Sequence, residues 1–251
     1  MPTFIHGKST GVFVDAFNLS SYFNTVDYAS TIDTAETTSF GSSAKSYLPG
    51  LNDATLSIAG LYSQETGGSD EVLSNILGSA TTPIVTVVMS TGTIGGRAVL
   101  GRAHETSYSI SNPVADVSSV SADFNASTDA VANQTYGVRG GVILTTGNSI
   151  AFGSLGLLTA VDNTASSASG SMATLHVTTN SITGGATTIK VQHSTDNTTF
   201  ADLITFTAVA ASTTAKQLSV TTGTVNRYVR VSATTAGSAG SITFNVGFAR
   251  N

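Results

Sequence analysis

The 251-residue chain has no cysteine, no tryptophan and only four prolines. Without cysteine, disulfide staples and thiolate metal sites are excluded. Without tryptophan, and with aromatics at 7% of residues, the stacking platforms of a sugar-cleaving groove are scarce. Charge is short as well. Asp, Glu, Lys and Arg make up 10% of the chain, against roughly 25% in an average globular protein. Ten basic residues against fifteen acidic ones leave a net charge of −5. That is the opposite of the basic surface a grip on nucleic acid needs. No apolar run approaches the ~18 residues of a membrane helix, so no membrane partner is expected. The opening MPTFIHGKSTGVFVDAF has no continuous apolar core behind a basic start. We therefore expect no signal peptide and synthesis in the cytoplasm.

What the chain does have is Ser, Thr and 25 Gly. Solubility must rest on hydroxyls and backbone, and such a surface suits assembly because uncharged polar groups cost less to desolvate than ions. The few charges are unevenly spread. Residues 1–130 hold 12 acids and four bases, a balance of −8; residues 131–251 hold three acids and six bases, a balance of +3.

Strand signals dominate. Val- and Thr-rich segments with period-2 alternation are expected to form strands near 11–17, 54–62, 83–90, 97–110, 117–125, 137–145, 172–179, 187–193, 202–208, 216–221, 226–233 and 241–249. Turn signals fall at Gly67-Gly68, Gly95-Gly96, Gly184-Gly185 and Asp196-Asn197. The spacing suits a mainly β sandwich or barrel. SDEVLSNILGS breaks the pattern. Ser69 and Asp70 are good N-cap residues, Glu71 suits a first turn, and Val72, Leu73, Ile76 and Leu77 share a helical face with Gly78 as the stop. One short helix is expected over 70–77. DNTASSASGS, residues 162–171, reads as a linker or exposed loop. It divides the chain into 1–162, a β-sandwich with the helix, and 163–251, an all-β part that either stands alone or joins the first sheet.

Motifs for chemistry are weak. Gly7-Lys8-Ser9-Thr10 matches the end of a phosphate loop, but the earlier glycine falls at Pro2. Ser42-Ser43-Ala44-Lys45 fits Ser-x-x-Lys, yet no Lys-Thr-Gly accompanies it. The four histidines show no i, i+4 pair, so no metal site is expected. His176 and His193, on expected strands that could be neighbours, read as strand-surface residues. Carboxylate pairs are not excluded by spacing, but no calcium loop is present. Thr188–Phe206 reads as a hairpin with Asp196 and Asn197 capping its turn and Phe200 returning the chain to the core. No catalytic residue, metal or cofactor is assigned.

The segments GKSTGVFVDAFNLSSYFN, TTSFGSSAKSYLPGLNDATLSIAGLYS, SDEVLSNIL and VQHSTDNTTFADLITF…TVNRYVRVSATTAGSAGSITFNVGFAR, in that order, resemble the major tail proteins, or tail tube proteins, of long-tailed bacteriophages. The resemblance implies a β-sandwich or barrel with one short flanking helix, to which this chain adds further C-terminal strands or a β-domain. It implies a non-enzymatic virion subunit, assembled in the bacterial cytoplasm, that forms stacked rings. The rings are hexameric, with a trimer as the alternative. Its partners would be copies of itself, the tape measure, tail terminator and baseplate or tip proteins, and double-stranded DNA that passes without specific binding. The length of the chain leans towards the flexible, non-contractile kind. By the same resemblance Thr37–Leu51 is an extended loop reaching a neighbouring subunit, with Tyr47, Leu48, Pro49 and Leu51 as contacts and Lys45 as an interface charge. If the acids of the first part face the lumen, they repel DNA phosphates. The alternatives are another virion decoration or surface protein, or a carbohydrate-binding β-sandwich.

Overall fold

The runs Gly-Val-Phe-Val at 11–14 and Ile-Val-Thr-Val-Val at 84–88 are apolar at nearly every position. Such runs suit strands buried on both faces, and both are buried throughout. The computed structural model describes residues 6–127 and 137–251. In chain order its elements are β1 (Gly11–Val14), β2 (Phe17–Asn18), β3 (Phe23–Glu36), β4 (Tyr47–Leu61), α1 (Ser69–Ile76), β5 (Ile84–Val88), β6 (Arg97–Ser111), β7 (Ser119–Ala126) and β8 (Arg139–Ile143). They continue with β9 (Ser149–Ala151), β10 (Val161–Asp162), β11 (Ser171–Asn180), β12 (Thr187–Ser194), β13 (Ala201–Thr205), β14 (Ala215–Thr221), β15 (Tyr228–Thr235) and β16 (Ser241–Arg250). The fold is mainly β, as expected, with two antiparallel sheets of twelve and four strands and one short helix.

The larger sheet bends at β6. Its central part runs β14-β11-β16-β8-β6-β5-β1-β2, with β9 beside β16; strands from both sides of residue 162 share it. The second part, the arm sheet, runs β3-β4-β7-β6. Strand β6 pairs with β5 and β8 through its first residues and with β7 from Ala103 onward. Gly101 sits at this corner with φ +154, and a Cβ there would lie 2.4 Å from the Gly137 carbonyl oxygen. Only glycine tolerates both the angle and the contact. The separate outer sheet runs β10-β15-β12-β13.

One face of the central sheet carries two cores and the other a third. Val12, Val14, Val85, Val87 and Val99 pack against Leu56, Ile58, Val120 and Phe124 of the arm sheet and Val72 and Leu73 of α1. Leu175, Val177, Phe244, Val246 and Phe248 pack against Ile189, Val191, Val229 and Val231 of the outer sheet. A third cluster, Phe13, Val88, Leu100, Ile143, Met172 and Ala249, consists of central-sheet residues alone. It exists because the sheet rolls onto itself. Strands β5 and β11 are four places apart, roughly 19 Å if the sheet were flat. The Thr86 and Thr174 hydroxyl oxygens nevertheless lie 2.8 Å apart.

His176 sits at that meeting point, fully buried. The expectation of a strand-surface histidine is corrected here: because the sheet rolls, the second face of β11 is interior. His176 is not brought to His193, which lies in the outer sheet. Its Nδ1 is 2.5 Å from the Asp15 carbonyl oxygen and its Nε2 2.7 Å from the Thr86 hydroxyl. A carbonyl only accepts, so Nδ1 carries the proton and Nε2 accepts from Thr86. Asp15 itself takes the Ile84 amide at 2.9 Å and the Lys216 ammonium at 2.5 Å.

Other local expectations are revised. The stretch 11–17 is two strands turning at Asp15, which adopts φ 54. The helix begins one residue early. Gly68 is its N-cap, while the Ser69 hydroxyl donates to the Leu61 carbonyl and Asp70 accepts from Tyr62 and Tyr108. Leu77 is exposed, off the packed face, and Gly78 takes φ +68 just past the end. In the 188–206 hairpin Asp196 caps the turn through the Thr198 and Thr199 amides. Phe200 does not return to the core. It stays at the surface under the Arg230 guanidinium, 3.6 Å from the ring centroid, and Ile204 and Phe206 fill the core instead.

Two outcomes test this architecture. Gly101→Ala should lower stability to urea by about 2–3 kcal/mol, since backbone at the corner must shift. Burial holds the His176 imidazole down at about 4, against an ordinary 6.5. Between those values the unfolded chain binds a proton that the folded chain does not. Its contribution is therefore complete above about 6.5 and lost as pH falls towards 4, on the order of 3 kcal/mol in all. In urea titrations at a series of pH values, the difference in stability between the native chain and His176→Gln should follow this slope.

Candidate assembly surface

The arm sheet is polar on one face because its strands alternate. Ala54, Leu56 and Ile58, with Val120, Ala122 and Phe124, point to the core. The positions between them form rows across the other face: Thr25–Ala59–Ser121–Ser109, Asp27–Ser57–Asp123–Ser107 and Ala29–Thr55–Asn125–His104. No Lys or Arg occurs in 23–36, 47–61, 103–111 or 119–126. The Asp123 carboxylate accepts from the Ser57 hydroxyl at 2.5 Å and the Ser107 hydroxyl at 2.6 Å. Those hydrogen bonds, Ser107 first, hold it below the usual carboxylate range, so the charge on this face persists.

Both flanks of the arm sheet are open. Among the described residues β3 pairs with β4 alone, and β6 beyond Ala103 pairs with β7 alone. Strand β3 carries no Lys or Pro, the residues that commonly blunt such an edge. The contrast is β14, an edge of the central sheet, where Gln217 gives its amide to the Thr207 carbonyl at 2.8 Å and takes the Thr207 amide at 2.7 Å.

Strands β3 and β4 run on past their support. Strand β7 accompanies β4 only from Thr55 to Leu61, whereas β4 pairs with β3 as far as Tyr47, opposite Glu36. The unsupported two-stranded arm reaches roughly 25 Å, with residues 37–46 at its tip. The expected extended loop over Thr37–Leu51 is thus corrected in part. Residues 47–51 are strand, because β3, absent from the expected strands, supplies their partners. Its signal was present in Val26, Tyr28 and Ile32 at alternate positions among threonines. It was weak because the outer half of the strand is exposed on both faces.

The structure places all five sequence-assigned contact residues on this arm. Tyr47, Leu48 and Leu51 are exposed, the last two at 61% and 80%. Pro49 lies opposite Thr34, and Lys45 at the tip pairs with Glu36 at 3.0 Å. Sequence reasoning missed Ile32 and Phe40, which are exposed beside them. At the opposite end of the arm sheet Leu61, Ile110, Val114 and Val117 form a second exposed apolar group around the 112–118 loop.

Elsewhere, a cleft of about 470 Å³ is floored by Phe13, Val88 and Ile143 and rimmed by hydroxyls, amides and Lys8. Lys8 is the one ionisable group in its lining, so no acid–base pair converges there. Among the described residues no cluster of three His, Asp or Glu is arranged to hold a metal, and no helix is long and apolar enough to cross a membrane.

No protein-family model matches the chain, and no curated protein sequence matches it. Solved structures give remote likenesses. The virion of a native gene transfer agent particle is 18% identical over 49% of this chain and 95% of that one, with a TM-score of 0.43. The tail of an empty gene transfer agent particle with C6 symmetry has the same identity and coverage at a TM-score of 0.40. The Dit protein of SPP1, described as a paradigm of the hub adsorption apparatus in phages infecting Gram-positive bacteria, is 10% identical. It covers 89% of this chain and 98% of its own, with a TM-score of 0.34.

A two-stranded ribbon without a third strand is marginal in water. Lys45 is also the only Lys or Arg between Lys8 and Arg97. Brief trypsin treatment of the free chain should therefore cut first after Lys45, giving fragments 1–45 and 46–251 by mass spectrometry. Equal cutting at Arg97 or Arg102 would show that the arm is no looser than the sheets.

Proposed function

We propose that the chain is a structural subunit of a phage tail tube, polymerising through the arm sheet. The observation that carries this reading is the arm sheet itself: two open edges, an exposed face free of cations, and an apolar arm. With four strands the two edges run in opposite directions. A rotation about an axis roughly parallel to the strands therefore brings β6 of one copy beside β3 of the next in antiparallel register. Repeated head to tail, such a contact closes into a ring. The arm then spans to a neighbouring copy, where Leu48, Leu51 and Phe40 leave water.

Strand geometry favours six copies over three. At about 4.8 Å between strands and a tilt of about 40°, six four-stranded sheets enclose a lumen on the order of 35–40 Å across after side chains. Three enclose on the order of 14 Å, too narrow for a DNA duplex. The lining would be Ser, Thr, Asn and Ala with Asp27, Asp53 and Asp123. Without Lys or Arg to displace counterions, such a wall does not hold phosphates. Tape measure, terminator and tip proteins are the partners this role calls for, in the virion tail.

Electron microscopy of the purified chain at rising concentration should show rings or hollow tubes, with top views counting the subunits. Leu48→Asp with Leu51→Asp should abolish them while leaving the thermal unfolding of the free chain within about 0.5 kcal/mol, because neither side chain packs in the core. A chain that stays monomeric at every concentration, with or without tail tip components, defeats the proposal. Within assembled tubes the Lys45 cut should slow at least tenfold. Ser57→Lys with Ser121→Lys should make tubes retain double-stranded DNA at low salt, which native tubes should not.

A further inference from the structure

Residues two apart on a strand share a face, so Glu105 and Ser107 of β6 belong on the same side. They are not on the same side. The register shifts between them, leaving Ser107 opposite Asp123 on the polar face and Glu105 opposite Phe124, in the core-facing row with Leu56 and Tyr28. Thr106 is the extra residue, its hydroxyl donating to the Asp123 carbonyl at 3.1 Å. A bulge of this kind re-aims a side chain, and here it turns a carboxyl inward. Glu105 is 5% exposed, and neither carboxyl oxygen has a hydrogen-bond partner among the described residues.

The surroundings offer no positive charge. Helix α1, packed on β6 and β7, contributes Asp70, bound by Tyr62 and Tyr108, and Glu71, bound by the Gly67 amide. Strands β4 and β7 present only apolar residues to this face, β3 presents Tyr28, and β6 adds Tyr108. His104 turns away to the Thr82 hydroxyl. An ionised carboxylate is not sustainable here, and burial pushes the Glu105 acid up to about 8.

We propose that Glu105 and the Thr106 bulge form a proton-dependent latch on the open β6 edge. The neutral acid lies under α1 and keeps residues 103–107 seated. Loss of the proton drives the carboxylate out to water and unseats them. The latch belongs to the free subunit and does not depend on ring formation.

The full chain, labelled with ¹³C at glutamate side-chain carboxyls, has four such signals, from Glu36, Glu65, Glu71 and Glu105. The signal assigned to Glu105, absent in Glu105→Gln, should titrate with a midpoint near 8. Hydrogen exchange read alongside should show amides of 103–107 losing about tenfold in protection per pH unit as pH rises towards that midpoint and levelling off above it, after correction for intrinsic rates. Glu105→Gln should not show the loss. A midpoint near 4–5, or wild-type protection unchanged to pH 9, overturns the latch. Should Glu105→Gln fail to fold, through-bond assignment of the wild-type signal and wild-type exchange still decide.

Discussion

A sheet whose middle strands are buried on both faces organises this protein. The central sheet rolls until β5 and β11, four strands apart, share a hydrogen-bonded threonine pair. Its convex side is then left for two further layers, the arm sheet with α1 at one end and the outer sheet at the other. Each layer needs only one apolar face, and the central strands must be apolar on two. The glycine corner in β6 follows from the same constraint, because one strand has to serve both the rolled sheet and the arm sheet. The polar node of buried Asp15 and His176, with the exposed Lys216 on its rim, closes the roll, where an unpaired buried group would be costly.

With stability concentrated there, the arm sheet is free to be unusual. It can leave both edges open and carry an apolar hairpin into water, because the core holds its other face. A free protein gains nothing from an unsupported ribbon, whose ordering costs roughly 1–2 kcal/mol per residue in backbone entropy. In the tube we propose, a neighbouring copy burying Leu48 and Leu51 would offset that cost. The absence of Lys and Arg from these strands has a matching logic, since a cation-free face is soluble without being adhesive to phosphate.

Two buried titrating groups pull stability in opposite directions. His176, held neutral by burial, weakens the fold as pH falls from about 6.5 to about 4. Glu105, also held neutral, has its contribution complete below an ordinary 4.5 and lost as pH rises to about 8. Between about 4.5 and 6.5 the two slopes oppose each other, and stability declines on either side. The groups report on different regions: His176 on the closure of the rolled sheet, Glu105 on the exposed edge of the arm sheet.

Periodicity and composition made much of this legible. The alternation in 54–62, 117–125, 172–179 and 241–249 marked strands that are present, the 70–77 helix lies within a residue of its place, and the Asp196 turn is capped as expected. Leu48 and Leu51, singled out by the resemblance alone, are exposed in the structure. Pairing was not legible. Strand β3 was hidden because half of it has no buried face to imprint a pattern. His176 read as a strand-surface residue because alternation says which positions share a side, not whether that side meets water, and Glu105 drew no reading at all. A roll in one sheet and a one-residue bulge in another moved both inside. The sequence by itself determined the strand-rich class, the single helix and the scarcity of charge, since these depend on neighbours along the chain. Only the tertiary structure decided which faces are interior and which edges stay open, since both depend on strands far apart in sequence coming together.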